Sequence, residues 1–156
     1  MVESIEIRKI SLITVILFLF GSIHTHTAFA NGVIFCKVYT IEASNNAAGV
    51  DNNLKDYLSI FAQKPFTEFK SFELISEKEY KLVPNKPLQL TLPTQLSGTL
   101  EYKGMTGNSL NLNLKLSKQG STPIIIEGKT GNGVPFIAAG LKSPKGRWVL
   151  AVKCKH

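Results

Sequence analysis

The sequence predicts a mainly β (α+β) fold: an antiparallel β-sandwich or a small barrel with one short helix after the first strand. Leucine occupies every second position in residues 88–92 and again in residues 110–116, which is the period of a strand buried on one face and exposed to solvent on the other. Turn signals rich in glycine, proline and asparagine recur every eight to twelve residues, as they do in antiparallel sheets. Only one segment has the spacing of an amphipathic helix. These patterns together predict about eight strands and one helix.

The first strand and the helix are predicted in the first half of the chain. Residues 33–41 are mostly β-branched or aromatic with almost no polar break, which indicates a central strand with both faces at least partly covered. Asp51 is placed to cap a helix over residues 52–63, because its carboxylate can accept hydrogen bonds from the first free backbone amides. Pro65 ends that helix. The apolar residues at helical spacing are Leu54, Leu58 and Phe61, with Tyr57 and Ile60 beside them.

The remaining strands follow the helix without an internal repeat or a linker. Residues 66–82 are rich in aromatic side chains and predict two strands or one long bent strand, in which Phe72 and Leu74 face inward. Turns that contain glycine or proline separate the later strands. Those strands are predicted over residues 88–92, 99–103, 110–116, 124–126, 136–140 and 148–154.

The N-terminal segment has the pattern of a secretory signal peptide. Two basic residues precede an apolar run over residues 10–20, and Ala28 and Ala30 lie three residues and one residue before a predicted cleavage site. The alternative is a retained membrane anchor, but the run is about half the ~20 residues that a spanning helix needs. We therefore expect a signal peptide over Met1–Ala30 and a single β-rich domain over residues 31–156, with no transmembrane span after cleavage. Export places this domain in the periplasm or outside the cell.

The two cysteines predict one disulfide bond. Cys36 and Cys154 lie near the two ends of the predicted exported domain, and a minimal, even pair in an exported protein usually forms a bridge. On the chain-entropy account, closing so long a loop stabilises the fold by about 4 to 5 kcal/mol. The bond requires the first and last strands to be neighbours or to face each other across the core. Phe35 before Cys36 excludes a lipidation signal, and two cysteines with a terminal His156 lack the ligand spacing of a zinc site.

The formal net charge of +7 belongs to the predicted exported domain, because the leader contains as many acids as bases. All but one of the domain's basic residues are lysines, which attract phosphate or acidic polysaccharide at long range, whereas planar recognition of a carboxylate favours arginine. The alternative is that dispersed lysines keep a β-rich domain in solution and protect its edge strands. The residues predicted to contact an anionic surface are Lys142, Lys145, Arg147, Lys153 and Lys155.

Catalytic chemistry has little support in the sequence, and no catalytic, cofactor-binding or metal-binding residue is predicted. The one histidine after the leader is His156, the last residue, where a side chain is seldom held rigidly enough to act as a base. Ser143 and Lys145 lie in a turn that gives the lysine no burial to lower its pKa. The acidic residues are scattered, so a hydrolase would need two carboxylates brought together from distant strands.

Two further motifs receive a structural interpretation. Residues 128–133 contain Gly-Lys-Thr, but the upstream glycine of a phosphate-binding loop is missing and no helix follows, so the Asn132–Gly133 step predicts a tight hairpin. Nucleic-acid binding favours exposed aromatic residues among basic ones, and Trp148 beside Arg147 is the segment that comes nearest to this pattern. Because Trp148 begins a strand, we expect it in the core or at its rim. Export also disfavours a nucleic-acid ligand.

Short segments spread along the chain carry a resemblance. They are Glu42–Asn45, Gly49–Asp51, Leu54–Lys55, Pro65–Phe66, Phe69–Lys70, Leu92–Pro93 and Trp148–Val152. Together they resemble a group of small exported proteins of Gram-negative bacteria, over most of residues 33–154. The resemblance implies an envelope or secreted setting and a one-helix β architecture, and it assigns no functional residue. Residues 124–141 are similar to the hairpin rhythm of subunits of outer-membrane secretion pores, which implies a component that packs against envelope machinery.

The sequence as a whole predicts a non-enzymatic exported domain that works by binding. One interpretation is an accessory subunit of a bacterial cell-envelope complex, which requires an exposed apolar patch or a free sheet edge. Another is a module that binds anionic lipid or polysaccharide through the five basic residues named above, gathered on one face, with an affinity that falls steeply with salt. The competing class is a small hydrolase with two acidic residues converging in a cleft.

Overall fold

The computed structural model describes residues 32–46, 49–93 and 96–155, and the predicted signal peptide Met1–Ala30 lies outside these ranges, as does His156. The described residues form two β-sheets and a short helical segment. The strands are β1 (Ile34–Ser44), β2 (Gly49–Val50), β3 (Ser71–Leu82), β4 (Leu88–Leu90), β5 (Leu96–Thr106), β6 (Ser109–Lys118), β7 (Ile124–Gly131), β8 (Pro135–Lys142) and β9 (Gly146–Lys155). The sequence did not predict β2, because a strand of two residues carries no periodicity.

The two sheets pack face to face as a β-sandwich. One sheet has five strands in the order β2-β3-β1-β9-β8, and the other has four in the order β4-β5-β6-β7. Neither closes into a barrel, so the sandwich is the predicted alternative that forms. The strand pairs described are antiparallel except for β2 with β3, which is parallel. The chain changes sheet between β3 and β4 and again between β7 and β8.

β1 is the central strand of the five-stranded sheet, as predicted. It pairs with β3 on one side and with β9 on the other. Cys36 and Val38, at even positions, face the core between the sheets, whereas Ile41 and Ala43, at odd positions, face the helical segment. Both faces of β1 are therefore covered over much of its length, which explains the nearly continuous apolar run in its sequence.

The predicted disulfide bond between Cys36 and Cys154 is present. The two residues are direct partners in the ladder between β1 and β9, their Cα atoms are 4.0 Å apart, and both are fully buried. The first and last strands are therefore neighbours in one sheet, joined across a sequence separation of 118 residues. Disulfide bonds persist in oxidising compartments, and this one is consistent with an extracytoplasmic setting.

The core between the sheets is built on the predicted alternation of leucine. The even-numbered leucines of β6 are buried and belong to one cluster with residues of β1 and β9, whereas the odd-numbered side chains of β6 lie on the outer face. Trp148 of β9 also belongs to this cluster and is 8% exposed, in agreement with the expected core or rim position. The buried leucines of β6 are Leu110, Leu112, Leu114 and Leu116.

The helical segment after β2 is shorter and tighter than the helix predicted over residues 52–63. A 3-10 helix spans Asn52–Tyr57 and continues directly as α1, Leu58–Phe61. Asp51 caps it as predicted, because its Oδ1 accepts a hydrogen bond from the backbone N–H of Asn53 at 2.9 Å. Asparagine, aspartate and tyrosine are weak helix formers, and this composition favours a short 3-10 helix over a continuous α-helix.

A second hydrophobic cluster joins the helical segment to the outer face of the five-stranded sheet. The Phe61 ring of α1 stacks on Phe72 of β3 with ring centroids 3.9 Å apart, and Leu54 is fully buried in the same cluster. The five-stranded sheet is therefore a middle layer between the helical segment and the four-stranded sheet. β1 and β9 contribute Ile41, Ala43, Val149 and Ala151 to this cluster.

Several predicted strands differ in extent from those observed, among them the strands predicted over residues 66–82 and 99–103. Of the two alternatives predicted for residues 66–82, the single long strand forms, but it is confined to β3 and is preceded by a 3-10 turn, Phe66–Glu68. The strand predicted over residues 99–103 extends over the whole of β5, from Leu96 to Thr106. A bulge between Tyr102 and Gly104 lets β5 continue through the glycine, which the sequence alone marks as the start of a turn.

Candidate ligand-binding surface

The helical segment covers only part of the outer face of the five-stranded sheet. Its cluster reaches Tyr39 of β1, whose ring packs edge-on against Tyr57 with centroids 5.4 Å apart. Next to Tyr39, towards the start of β1 and the end of β9, lies a concavity of about 220 Å³. We call its lining the aromatic–lysine surface, which consists of Phe35, Lys37, Tyr39, Glu79, Lys153 and Lys155.

Strand register arranges this surface in two rows that cross β3, β1 and β9. Direct partners in neighbouring strands share a face, so at this end of the sheet the odd-numbered side chains of β1, β9 and residues 77–81 of β3 point away from the core between the sheets. The first row is Lys81, Phe35 and Lys155, and the second is Glu79, Lys37 and Lys153. A phenylalanine thus lies between two lysines, and a lysine lies between a glutamate and another lysine.

Two lysines lie directly opposite each other in this surface. Lys37 of β1 and Lys153 of β9 are register partners, and the Cβ atoms of such partners are about 5 Å apart. Lys37 donates from Nζ to Oε1 of Glu77 at 2.7 Å, and this hydrogen bond and the carboxylate charge raise the pKa of Lys37. Lys153 and Lys155 make no ion pair with any residue that the structure describes. The surface therefore carries positive charge that the fold does not compensate.

The same surface exposes apolar area. The Phe35 side chain is 51% exposed although it lies in the central strand of a sheet. An exposed ring flanked by ammonium groups can contact a ligand that has both an anionic and an apolar part, because the lysine stems and the ring are apolar while the ammonium groups remain in water. The arrangement is therefore suited to binding rather than to proton transfer.

The five basic residues predicted to contact an anionic surface fall into two groups. Lys153 and Lys155 line the aromatic–lysine surface, whereas Lys142, Lys145 and Arg147 lie at the other end of the hairpin formed by β8 and β9. The extended strand between Arg147 and Lys153 is about 20 Å long. The structure thus does not bring the five residues into one patch, and the contact of either group with a ligand stays a prediction.

The second group makes contacts within the fold. Lys145 Nζ lies 3.0 Å from Oε2 of Glu73 and 3.8 Å from Oε2 of Glu42. The hydrogen bond to Glu73 and its charge raise the pKa of Lys145. Arg147 donates from Nη1 to the backbone carbonyl of Gly140 at 3.0 Å. These contacts attach the turn between β8 and β9 to the neighbouring strands.

Glu42 and Glu73 form a pair of acids brought together from two strands, as the hydrolase interpretation requires. They are register partners in β1 and β3. Glu42 is 5% exposed, and its Oε1 accepts a hydrogen bond from the backbone N–H of Lys145 at 3.0 Å. Because the Lys145 ammonium contacts both carboxylates, the pair has an internal counter-ion and anchors a turn.

The Gly-Lys-Thr motif folds as the end of β7 and leads into the predicted hairpin. Gly133 has a φ of 72°, as the tight turn requires. The buried Thr130 hydroxyl donates to the backbone carbonyl of Val134 at 2.6 Å, which closes the turn. The threonine hydroxyl is therefore engaged within the protein, and the motif has a structural role.

β7 is a free edge of the four-stranded sheet. It pairs with β6 on one side, and no strand of the described ranges pairs with its other side. Ile124 is 36% exposed and Ile125 is 62% exposed at the start of this strand. An unpaired edge with exposed isoleucines offers backbone and apolar contacts to an added strand. It is the kind of edge that the subunit interpretation requires.

The part of the chain that the structure describes contains neither a membrane-spanning helix nor a metal-binding cluster. No helix there is long and apolar enough to cross a membrane. No three histidine, cysteine or acidic side chains there are grouped so as to hold a metal ion. Comparison of the chain with protein-family models, with curated proteins and with solved structures finds no match.

Sequence reasoning identified Lys153 and Lys155 but missed the half of the surface that β1 contributes. The predicted disulfide bond was sufficient to identify that half. If Cys36 lies opposite Cys154 in antiparallel strands, then the residues that flank the cysteines are also opposite each other, which pairs Lys37 with Lys153 and places Phe35 beside Lys155.

Proposed function

We propose that this chain is an exported, non-enzymatic binding domain that takes an anionic ligand on the aromatic–lysine surface. The observation that carries the proposal is the direct opposition of Lys37 and Lys153 in neighbouring strands. Like charges at such positions destabilise a sheet. Glu77 pairs with Lys37, and an anion bound beside Lys153 would offset the repulsion that remains. Phe35 adds an exposed apolar contact beside them.

A periplasmic or secreted location supports the proposal. The buried disulfide bond suits an oxidising compartment, and the N-terminal pattern predicts export. Anionic lipid headgroups and acidic polysaccharides are abundant in a bacterial envelope, whereas nucleic acid is not the expected ligand there. The net charge of +7 adds long-range attraction to such surfaces.

A second candidate function is an accessory subunit of an envelope complex that docks through β7. Its support is the free edge with Ile124 and Ile125 exposed. Strand addition depends on backbone hydrogen bonds and apolar contact, so it should survive high salt, whereas binding of an anion by lysines should not. Salt dependence therefore separates the two candidates.

The test of the first proposal is salt elution from an immobilised polyanion such as heparin. The variant Lys153→Gln/Lys155→Gln loses two charges at the surface, and the control variant Lys55→Gln/Lys115→Gln loses two exposed charges elsewhere. We expect the first variant to elute at clearly lower salt than the control, because localised lysines release counter-ions when they bind a polyanion. Equal elution of the two variants would contradict the proposal, since retention would then reflect net charge alone.

A further inference from the structure

We infer that the anionic ligand is the headgroup region of a phospholipid bilayer, contacted by the end of the sandwich at which β1 begins. The inference rests on the proposed function and narrows its ligand to one class. At this end β1 and β8 begin and β3 and β9 end, so the aromatic–lysine surface continues into the loops at the same end of the sandwich. The loops are residues 83–87, 107–108 and 132–134.

Apolar side chains are exposed at this end. Val33, directly before β1, is 42% exposed, and Phe35 is 51% exposed. Val134, in the turn between β7 and β8, is 55% exposed. The backbone N–H of Gly133 donates to the carbonyl of Cys154 at 2.8 Å, so this turn is held against the end of β9. The next residue of β9, Lys155, is the register partner of Phe35. Three of the large apolar side chains that the described chain exposes thus lie at one end of the sandwich.

Lysines surround these apolar side chains. Lys81 and Lys155 flank Phe35 in its sheet row, and Lys86 is exposed in the loop between β3 and β4. None of these three makes an ion pair with a residue in the described ranges. The three loops at this end contain no acidic residue. The charge at this end is therefore complementary to an anionic surface.

A bilayer interface can contact both the exposed apolar side chains and the lysines around them. Lysines are attracted to anionic headgroups while valine and phenylalanine enter the boundary between headgroups and acyl chains. A soluble polyanion would engage the lysines but leave Val33 and Val134 in water. Each lysine near the membrane surface contributes about fivefold in affinity, and the insertion of a half-exposed phenylalanine contributes about tenfold.

The test is co-sedimentation of the processed protein with vesicles of phosphatidylcholine, with and without phosphatidylglycerol. Phe35→Ala removes the central apolar contact, and Ile125→Ala is the matched control, because Ile125 is 62% exposed at the far edge of the other sheet. All variants have the same N-terminal residues, so any contribution of those residues to vesicle affinity is the same in each variant. We expect binding only to vesicles that contain phosphatidylglycerol, about tenfold weaker for Phe35→Ala and unchanged for Ile125→Ala.

The outcomes separate this inference from the proposed function. Retention on heparin that depends on Lys153 and Lys155, without binding to phosphatidylglycerol vesicles, would overturn the bilayer inference and leave the proposed function standing. Vesicle binding that is equally strong in Phe35→Ala and Ile125→Ala would overturn the inference as well. If neither vesicles nor heparin bind in a manner that depends on Lys153 and Lys155, both proposals are wrong.

Discussion

The buried hydroxyl of Tyr102 has no hydrogen-bond partner among the residues that the structure describes. Tyr102 is fully buried between the sheets, and burial raises its pKa. A buried hydroxyl without a partner costs free energy, because it gives up its hydrogen bonds to water. The sequence predicted the strand that holds Tyr102, but it cannot indicate that the hydroxyl lacks a partner, since that depends on the side chains of other strands.

The first prediction concerns this hydroxyl. Tyr102→Phe should raise the free energy of unfolding by about 1 kcal/mol, because it removes a buried polar group and little else. The matched control is Tyr80→Phe, because the Tyr80 hydroxyl accepts a hydrogen bond from the backbone N–H of Thr91 at 2.9 Å. This control should lower the free energy of unfolding by about 1 kcal/mol. Urea titration measures both, and a loss of stability in Tyr102→Phe would show that its hydroxyl is bonded.

The second prediction concerns pH. Burial is the main cause that raises the pKa of Tyr57 above its ordinary value of 10.0. Above pH 10 the unfolded chain loses this proton while the folded protein keeps it, so stability is complete below pH 10 and falls as the pH rises further. We expect the loss to approach about 1.4 kcal/mol per pH unit. Tyr57→Phe should show a flatter decline in urea titrations between neutral and alkaline pH, and two parallel curves would contradict this account.

At the level of elements, the helical segment decides which part of the sheet remains available. It packs on the half of the outer face that holds Ile41 and Val149, and leaves open the half that holds Phe35 and Lys153. The position of the segment after the first strand and its cap at Asp51 were predictable from helical spacing and side-chain chemistry. Its 3-10 character and its limited coverage were not, because they depend on how the aromatic cluster packs against the sheet.

The third prediction tests this packing. Leu54→Ala should lower the free energy of unfolding by about 2 to 5 kcal/mol, because Leu54 of the helical segment is fully buried against the sheet. Leu58→Ala is the matched control, since Leu58 is 49% exposed in the same segment and should change stability by less than about 0.5 kcal/mol. Thermal and urea unfolding provide the values. Similar losses in the two variants would mean that the segment does not pack as described.

At the scale of the whole molecule, the disulfide bond requires a strand order in which β1 and β9 are close. The sequence predicted the pairing of Cys36 with Cys154 and required the first and last strands to lie close, and the structure makes them neighbours. It did not predict that β3 would flank β1 on its other side or that β8 would end the sheet, because strand order depends on contacts distant in sequence. The sequence also did not predict that the five basic residues would form two groups. They are separated because β9 extends from Gly146 to Lys155, with Arg147 at its start and Lys153 and Lys155 at its end.

The fourth prediction concerns this cross-link. Cys36→Ala/Cys154→Ala should lower the free energy of unfolding by about 4 to 5 kcal/mol, because the bond restricts the unfolded chain across 118 residues. Guanidinium titration of the variant and the oxidised protein gives the difference, and a variant that is unfolded in buffer counts as a loss at least as large. A loss below about 1 kcal/mol would show that the closure of the loop contributes little.

The account depends most on the aromatic–lysine surface as the ligand site, and amide chemical shifts test this most directly. The isotope-labelled protein is titrated with a short-chain phosphatidylglycerol below its micelle concentration, which presents one phosphate and a small apolar part. The account predicts the largest shift changes at Phe35, Lys37, Lys153 and Lys155. Changes concentrated at Lys142, Lys145 and Arg147, or spread evenly over the lysines, would contradict it.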